Sequence, residues 1–156
     1  MRSEVKALLL LEGRLLLNRC RDESGAFYYA LPGGGQRPFE PMETALVREV
    51  LEETGLHIRA GRLAAVAEEI SENPQERERF PEYAHRIHHI FLAEAAGPAA
   101  PVPVEPDSGQ EAAEWVPLAQ AQQLPLRPFQ LRGRLNEILC SSGAQFHPAP
   151  LSPTDF

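Results

Sequence analysis

Three glutamates, Glu49, Glu52 and Glu53, stand at i, i+3 and i+4 in the segment REVLEETG that begins at Arg48. On a helix this spacing gathers the carboxylates on one face, with Cβ atoms about 5–6 Å apart. Like charges that close repel and weaken the helix that carries them. A cation over the face would reverse the sign of that interaction. Hard divalent ions take oxygen ligands, and magnesium usually keeps waters and substrate phosphates as its remaining ligands. These residue types at this spacing therefore point to divalent-metal chemistry on a phosphate-bearing compound.

The flanking residues are predicted to hold the cluster in place. Pro41 suits the first turn of a helix, where its missing N–H costs nothing, and Glu40 and Glu43 suit the positive end of the helix dipole. The helix runs to about Thr54, and Gly55 supplies a left-handed stop. Ala45, Leu46, Val50 and Leu51 form the apolar stripe that docks it on a sheet. Upstream, EVKALLLL (4–11) and RLLLNR (14–19) read as two strands about a Glu12-Gly13 turn. Residues 20–26 form a loop, and FYYAL (27–31) forms a short aromatic strand that stops at Pro32. Gly33, Gly34 and Gly35 follow, a run open to backbone angles closed to other residues.

Downstream, 57–70 is predicted as one strand or two broken at Gly61, and 71–81 as a charged surface loop. A long strand over 83–94 follows, then a Pro-rich excursion over 95–110 and a strand over 112–117. Helices are predicted at about 117–123 and 128–141. The order β-β-β-α-β-β-β-α gives a mixed α/β sandwich around one core. One domain is expected over 1–144, with a flexible tail over 145–156.

The chain has 156 residues, of which 43% are hydrophobic, enough for one domain with a real core. Its formal net charge of −7 argues against binding along a nucleic-acid backbone, which uses basic stripes. A small phosphorylated substrate remains compatible once a metal screens the acids. Cys20 and Cys140 match no metal or redox spacing and read as ordinary cytosolic thiols. The opening segment carries Glu4, Lys6 and Glu12 and does not read as a signal peptide. No stretch approaches the ~20 apolar residues that cross a bilayer. The expectation is a cytoplasmic protein with neither nucleic acid nor membrane as partner.

With these residues in view, the chain resembles the Nudix hydrolase family. That signature is a glycine, five residues, a glutamate, seven residues, then R-E-apolar-x-E-E-x-G-apolar. Gly34, Glu40, Arg48, Glu49, Val50, Glu52, Glu53, Gly55 and Leu56 meet every position. A lone glycine-rich loop would be a far weaker signal. The aromatic strand running into LPGGG and the later segment EAAEWVPL from Glu111 extend the likeness over most of the chain.

The resemblance implies a Nudix-type α/β/α sandwich with a mixed sheet and a catalytic loop-helix-loop. It implies a pyrophosphohydrolase that uses Mg2+ or Mn2+ to cleave a diphosphate linkage in a nucleoside diphosphate derivative, of nucleoside triphosphate or ADP-ribose-like kind. The physics agrees, since two unit charges about 4 Å apart interact by about 4 kcal/mol at an effective dielectric near 20. Three glutamates would repel a pyrophosphate unless divalent ions intervened. By resemblance, Glu52 and Glu53 are the core metal ligands, Glu49 is a ligand or the base for water, and the Gly33 carbonyl is a further ligand. Glu40 and Arg48 are implied to pair and orient the carboxylates, with Gly34 and Gly55 as structural positions of the motif. An acid outside the motif commonly completes the site. Glu111 and Glu114 are the candidates, Glu111 preferred because it sits at a loop end. Many relatives pair, so a homodimer is compatible.

Other residues admit two readings. Tyr28 or Tyr29 could stack on a nucleobase or fill the core. Arg19, Arg21 and Arg37 border the expected phosphate path and suit bidentate phosphate contacts, yet loop arginines are often simply solvated. On a strand His85 and His89 share a face but stand about 13 Å apart, and His88 points the other way, so a shared zinc is not expected. A rival of another class is a catalytically silent Nudix-fold nucleotide-binding or sensor module. It would typically lack a motif glutamate, and none is missing.

Overall fold

The computed structural model describes residues 1–98, 100, 102, 105 and 107–147. The chain opens with β1 (Arg2–Leu11) and β2 (Arg14–Arg21), joined by a turn in which Glu12 (φ 50°) and Gly13 (φ 73°) both take positive φ. Two positive φ values in a two-residue loop match the right-handed twist of the flanking strands. β1 pairs with β2 only near this turn, at Leu10↔Leu15 and Leu11↔Arg14. The two strands then diverge. β1 runs parallel to β5 (His85–Ala95) from Arg2 to Leu9, while β2 pairs with β3 (Phe27–Ala30) and β6 (Gln110–Pro117).

The free edge of β1 is taken by the glycine loop. Val5 N donates to Gly34 O at 2.9 Å, Ala7 N to Pro32 O at 2.8 Å, and Gln36 N to Ser3 O at 3.1 Å. Backbone groups at a sheet edge need such partners. Gly33 must be glycine here: its φ is +133°, and a Cβ would sit 2.1 Å from Val5 O.

The sheet order is β7-β3-β2-β1-β5-β4-β8, with β6 beside β2. β1 alternates its faces. Val5, Ala7 and Leu9 pack with Ala45, Leu46 and Val50 of α1 (Met42–Thr54), whereas Leu8 packs with Leu131, Leu135 and Ile138 on the other side. Helical segments on both faces of the mixed sheet make the expected α/β/α arrangement. Full burial of Leu46 and Val50 stabilises by about 1.5–3 kcal/mol each. Helical like-charge pairs cost about 0.2–0.5 kcal/mol each, so docking holds α1 in place despite its acids. Among the described residues, no helix is long and apolar enough to cross a membrane.

Of the two readings of 57–70 the single strand holds, and several other expectations need correction. β4 (Ile58–Ile70) is one strand; near Gly61 it bulges, with register shifts between Ala60 and Leu63 and between Leu63 and Ala65. The expected loop over 71–81 contains α2 (Pro74–Arg79), capped by Asn73 Oδ1 accepting from Gln75 N at 3.0 Å, and runs into α3 (Pro81–Ala84). The helix expected at 117–123 is the single turn α4 (Leu118–Ala121). The one expected at 128–141 splits into a 3-10 turn (Phe129–Leu131) and α5 (Leu135–Cys140), because Gly133 between them takes φ +70°. β7 (Leu126–Arg127) was not expected; it lies between two prolines and pairs with β3. Residues 145–147, assigned to the tail, form β8 (Gln145–His147), parallel to β4. Residues 148–156 of that tail, and part of the Pro-rich excursion, lie outside the described residues.

Candidate active site

α1 carries the glutamates as the spacing requires. Pro41 caps the helix, its carbonyl accepting from Ala45 N at 3.0 Å. Gly55 ends it at φ 72°, donating its N–H to Leu51 O at 2.8 Å.

Arg48 is the hub of the exposed end of the cluster. Its Nε and Nη2 grip Glu40 at 2.8 and 2.9 Å, a bidentate pair. Its Nη1 donates to Glu49 at 2.7 Å and to Glu52 at 3.3 Å, and Nη2 also reaches Gly35 O at 3.1 Å. The brace implied for Glu40 and Arg48 is thus present, and it ties the loop to the helix. Hydrogen bonding to Arg48 and to the Arg37 N–H holds the Glu40 carboxyl down at about 2. Glu49 moves the other way: burial raises it, against the opposing charge of Arg48.

Gly34 explains its own position in the motif. A Cβ there would stand 2.5 Å from Glu49 Oε2 and 2.7 Å from its Cδ. Only a residue without a side chain lets the Glu49 carboxylate lie against the loop.

Glu53 is held against β2 and the glycine loop. It is 3% exposed, and one oxygen accepts from Asn18 Nδ2 at 2.7 Å and from Gly33 N at 2.8 Å. Burial pushes its carboxyl up to about 8, against the opposing Lys6 charge and the Gly33 N–H, with Asp107 pushing the same way as burial. A buried carboxylate without a full counter-charge is costly. A divalent cation would supply that charge and keep the group ionised, so the donor set fits a metal. The expected convergence is only partial, however. Among the described residues no three His, Cys, Asp or Glu side chains stand as a ready-made metal cage. Arg48 draws Glu49 and Glu52 together, while Asn18 and Gly33 hold Glu53. The Gly33 carbonyl, implied as a ligand, accepts from Lys6 Nζ at 2.7 Å.

Glu49 and Glu53 line a cavity of about 470 Å³ that reaches from Tyr28 and Arg127 to Arg2 and Arg86. Of the two tyrosines, Tyr28 lines it, with the Arg127 guanidinium 3.9 Å from its ring centre, while Tyr29 packs against the core. Glu111 does not line it. It is paired with Arg21 at 2.8 Å and with Arg19 at 3.7 Å, so these three residues occupy one another. Both arginines also lie over the Phe27 ring. Arg37 is largely exposed, 3.9 Å from Glu52. Asp107, which sequence reasoning passed over, does line the cavity; the Pro-rich excursion gave no sign of it. The histidines are spoken for: His85 meets Glu68 at 3.0 Å, His88 lies between Glu4 and Glu69, and His89 meets Glu4 O at 3.2 Å.

Known proteins place this geometry. The Nudix domain family matches residues 2–134. A MutT Nudix hydrolase from Burkholderia pseudomallei is 33% identical, with a TM-score of 0.57, over 76% of this chain and 84% of that one. The MutT protein of Methanosarcina mazei Go1 is 25% identical, TM-score 0.63, over 88% and 91%. An ADP-ribose pyrophosphatase from Streptococcus suis 89-1591 is 20% identical, TM-score 0.62, over 93% and 98%, and shares the fold. No curated protein sequence matches the chain. With the motif complete, its glycines and acids accounted for, and the domain matched over most of its length, the chain belongs to the Nudix family of phosphoanhydride hydrolases.

Proposed function

We propose that the chain is a divalent-metal-dependent pyrophosphohydrolase that cleaves a diphosphate linkage in a nucleoside diphosphate derivative, of nucleoside triphosphate or ADP-ribose-like kind. The observation that carries this is the buried Glu53 carboxylate, short of positive charge, on the wall of a ligand-sized cavity beside Glu49. Glu52 and Glu53 would hold Mg2+ or Mn2+, with the Gly33 carbonyl as a further ligand once Lys6 releases it. When bound, the metal clamps phosphate oxygens, acidifies a water and stabilises the leaving group.

The chain's own residues do the rest. Arg48 positions Glu49 and Glu52 from one guanidinium. Asn18 and the Gly33 N–H fix Glu53. Burial lifts Glu49 above its ordinary range. A base is most effective with a pKa near the working pH, which suits Glu49 to take a proton from the attacking water. Tyr28, stacked with Arg127, offers a flat apolar face for a nucleobase.

A panel of nucleotide derivatives hydrolysed with Mg2+ or Mn2+ in oxygen-18 water tests the reading. Release of a nucleotide and a phosphate product, labelled at one phosphorus, is expected. No turnover of any compound would favour the silent binding module.

A further inference from the structure

The cavity extends past the glutamates to the edge of the sheet where β1 and β5 run side by side. There Arg2 and Arg86 are direct partners in the ladder, and both line the cavity. Like charges opposite each other on neighbouring strands destabilise a sheet. The nearby acids only partly relieve this. Glu4 is divided among Arg2 at 3.2 Å, Lys6 at 3.6 Å and His88 at 3.3 Å. Glu69 is divided between Arg86 at 2.5 Å and His88 at 3.0 Å. Lys6 is turned to the Gly33 carbonyl. Arg2 Nε is the atom that faces Glu4, whereas the Nε of Arg86 is buried and, among the described residues, makes no hydrogen bond.

Arg2 is also held in place before any ligand arrives. Its guanidinium lies 4.6 Å from the Tyr83 ring centre on one side. On the other it covers Gly35, where a Cβ would stand 2.0 Å from Nη2. Rigid placement of a binding group lowers the cost of ordering it. Each guanidinium carries more N–H donors than its one carboxylate partner uses, which suits a further oxyanion. The cavity, at about 470 Å³, also has the volume of a whole small ligand, well beyond a diphosphate.

We propose that Arg2 and Arg86 form an oxyanion subsite that receives a phosphate carried beyond the scissile diphosphate, so that the substrate class is a nucleoside triphosphate rather than a nucleoside diphosphate joined to a neutral sugar. This rests on the hydrolase reading above. The test compares those two compounds, with the same nucleoside, on the parent and on Arg2→Gln and Arg86→Gln. In each variant the ratio of KM for the triphosphate to KM for the neutral-sugar compound rises about 10- to 100-fold, the worth of a hydrogen bond to a charged group. Arg86→Lys recovers part of the loss. A ratio within about twofold of the parent in both variants would overturn the subsite. Calorimetry with inorganic tripolyphosphate separates this idea from the one beneath it. If the parent hydrolyses neither compound, the hydrolase reading fails. Weaker tripolyphosphate binding by the variants would still uphold the subsite, and unchanged binding would overturn it. The arginines lie on different strands, so one variant that fails to fold leaves the other to decide.

Discussion

Replacing Gly34 with alanine separates the chemistry from the fold. The new Cβ would lie 2.5 Å from Glu49 Oε2 and 2.7 Å from Cδ. Ordinary contacts between heavy atoms lie at about 3.5–4.0 Å, so the carboxylate must retreat by about 1 Å. It can do so, because it is the far end of a flexible side chain. Retreat takes it off Arg48 Nη1, now at 2.7 Å, and out of line with the cavity. A displacement of ~1 Å at a reacting centre costs about 100-fold in rate, equivalent to about 2.7 kcal/mol of barrier. Gly33→Ala is the matched control. Its Cβ would meet the backbone oxygen of Val5 at 2.1 Å, on a backbone at φ +133°, where nothing can swing aside. Steady-state kinetics and thermal melting on both variants give the answer. Gly34→Ala should melt near the parent temperature and lose about 100-fold in kcat; Gly33→Ala should lose the fold. A Gly34→Ala enzyme with the parent kcat would show that Glu49 has no part in the reaction.

Three further outcomes follow from single residues. Phe39 is fully exposed at φ 63° in a turn closed by Glu40 N donating to Arg37 O at 3.1 Å. That third turn position favours glycine, so Phe39→Gly should stabilise by about 1 kcal/mol and raise Tm by about 2–4 °C; a lower Tm refutes the strain. Glu40 titrates at about 2 in the folded chain, below its ordinary 4.5, so its contribution to stability is full above pH 4.5 and lost as pH falls toward 2. The stability gap between parent and Glu40→Gln, followed by denaturant titration, should therefore close across that window; a constant gap would disprove the linkage. Asp107→Asn should lower kcat about tenfold or more, and Glu111→Gln should change it by less than about threefold, because Asp107 lines the cavity and Glu111 is neutralised by arginines. The reverse order would return the outside acid to Glu111.

The sequence made α1 legible because several local signals agreed: Pro41 at the start, Gly55 at the end, and Leu46 and Val50 on one face. The Glu40–Arg48 brace was implied by the family resemblance alone, and the reason Gly34 must be glycine, its contact with Glu49, became visible only in the structure. What failed was set by distant partners. Glu111 was expected at the site because a loop end can reach inward, but β2 places Arg19 and Arg21 beside it. Asp107 enters the cavity from a segment whose composition suggested only extended chain. β8 forms because β4 has an edge to cover, a fact invisible in the residues 145–147 themselves. Lys6 reads as an ordinary strand residue until the glycine loop, far along the chain, brings the Gly33 carbonyl against it.

The most direct measurement is calorimetric titration of Mn2+ into the parent chain and into Glu53→Gln. Glutamine keeps an oxygen for Asn18 and Gly33 but loses the charge. Uptake by the parent, weakened about tenfold or more in the variant with the melting temperature retained, is the expected result. Equal uptake by both, or none by the parent, would contradict the assignment of Glu53 as a metal ligand.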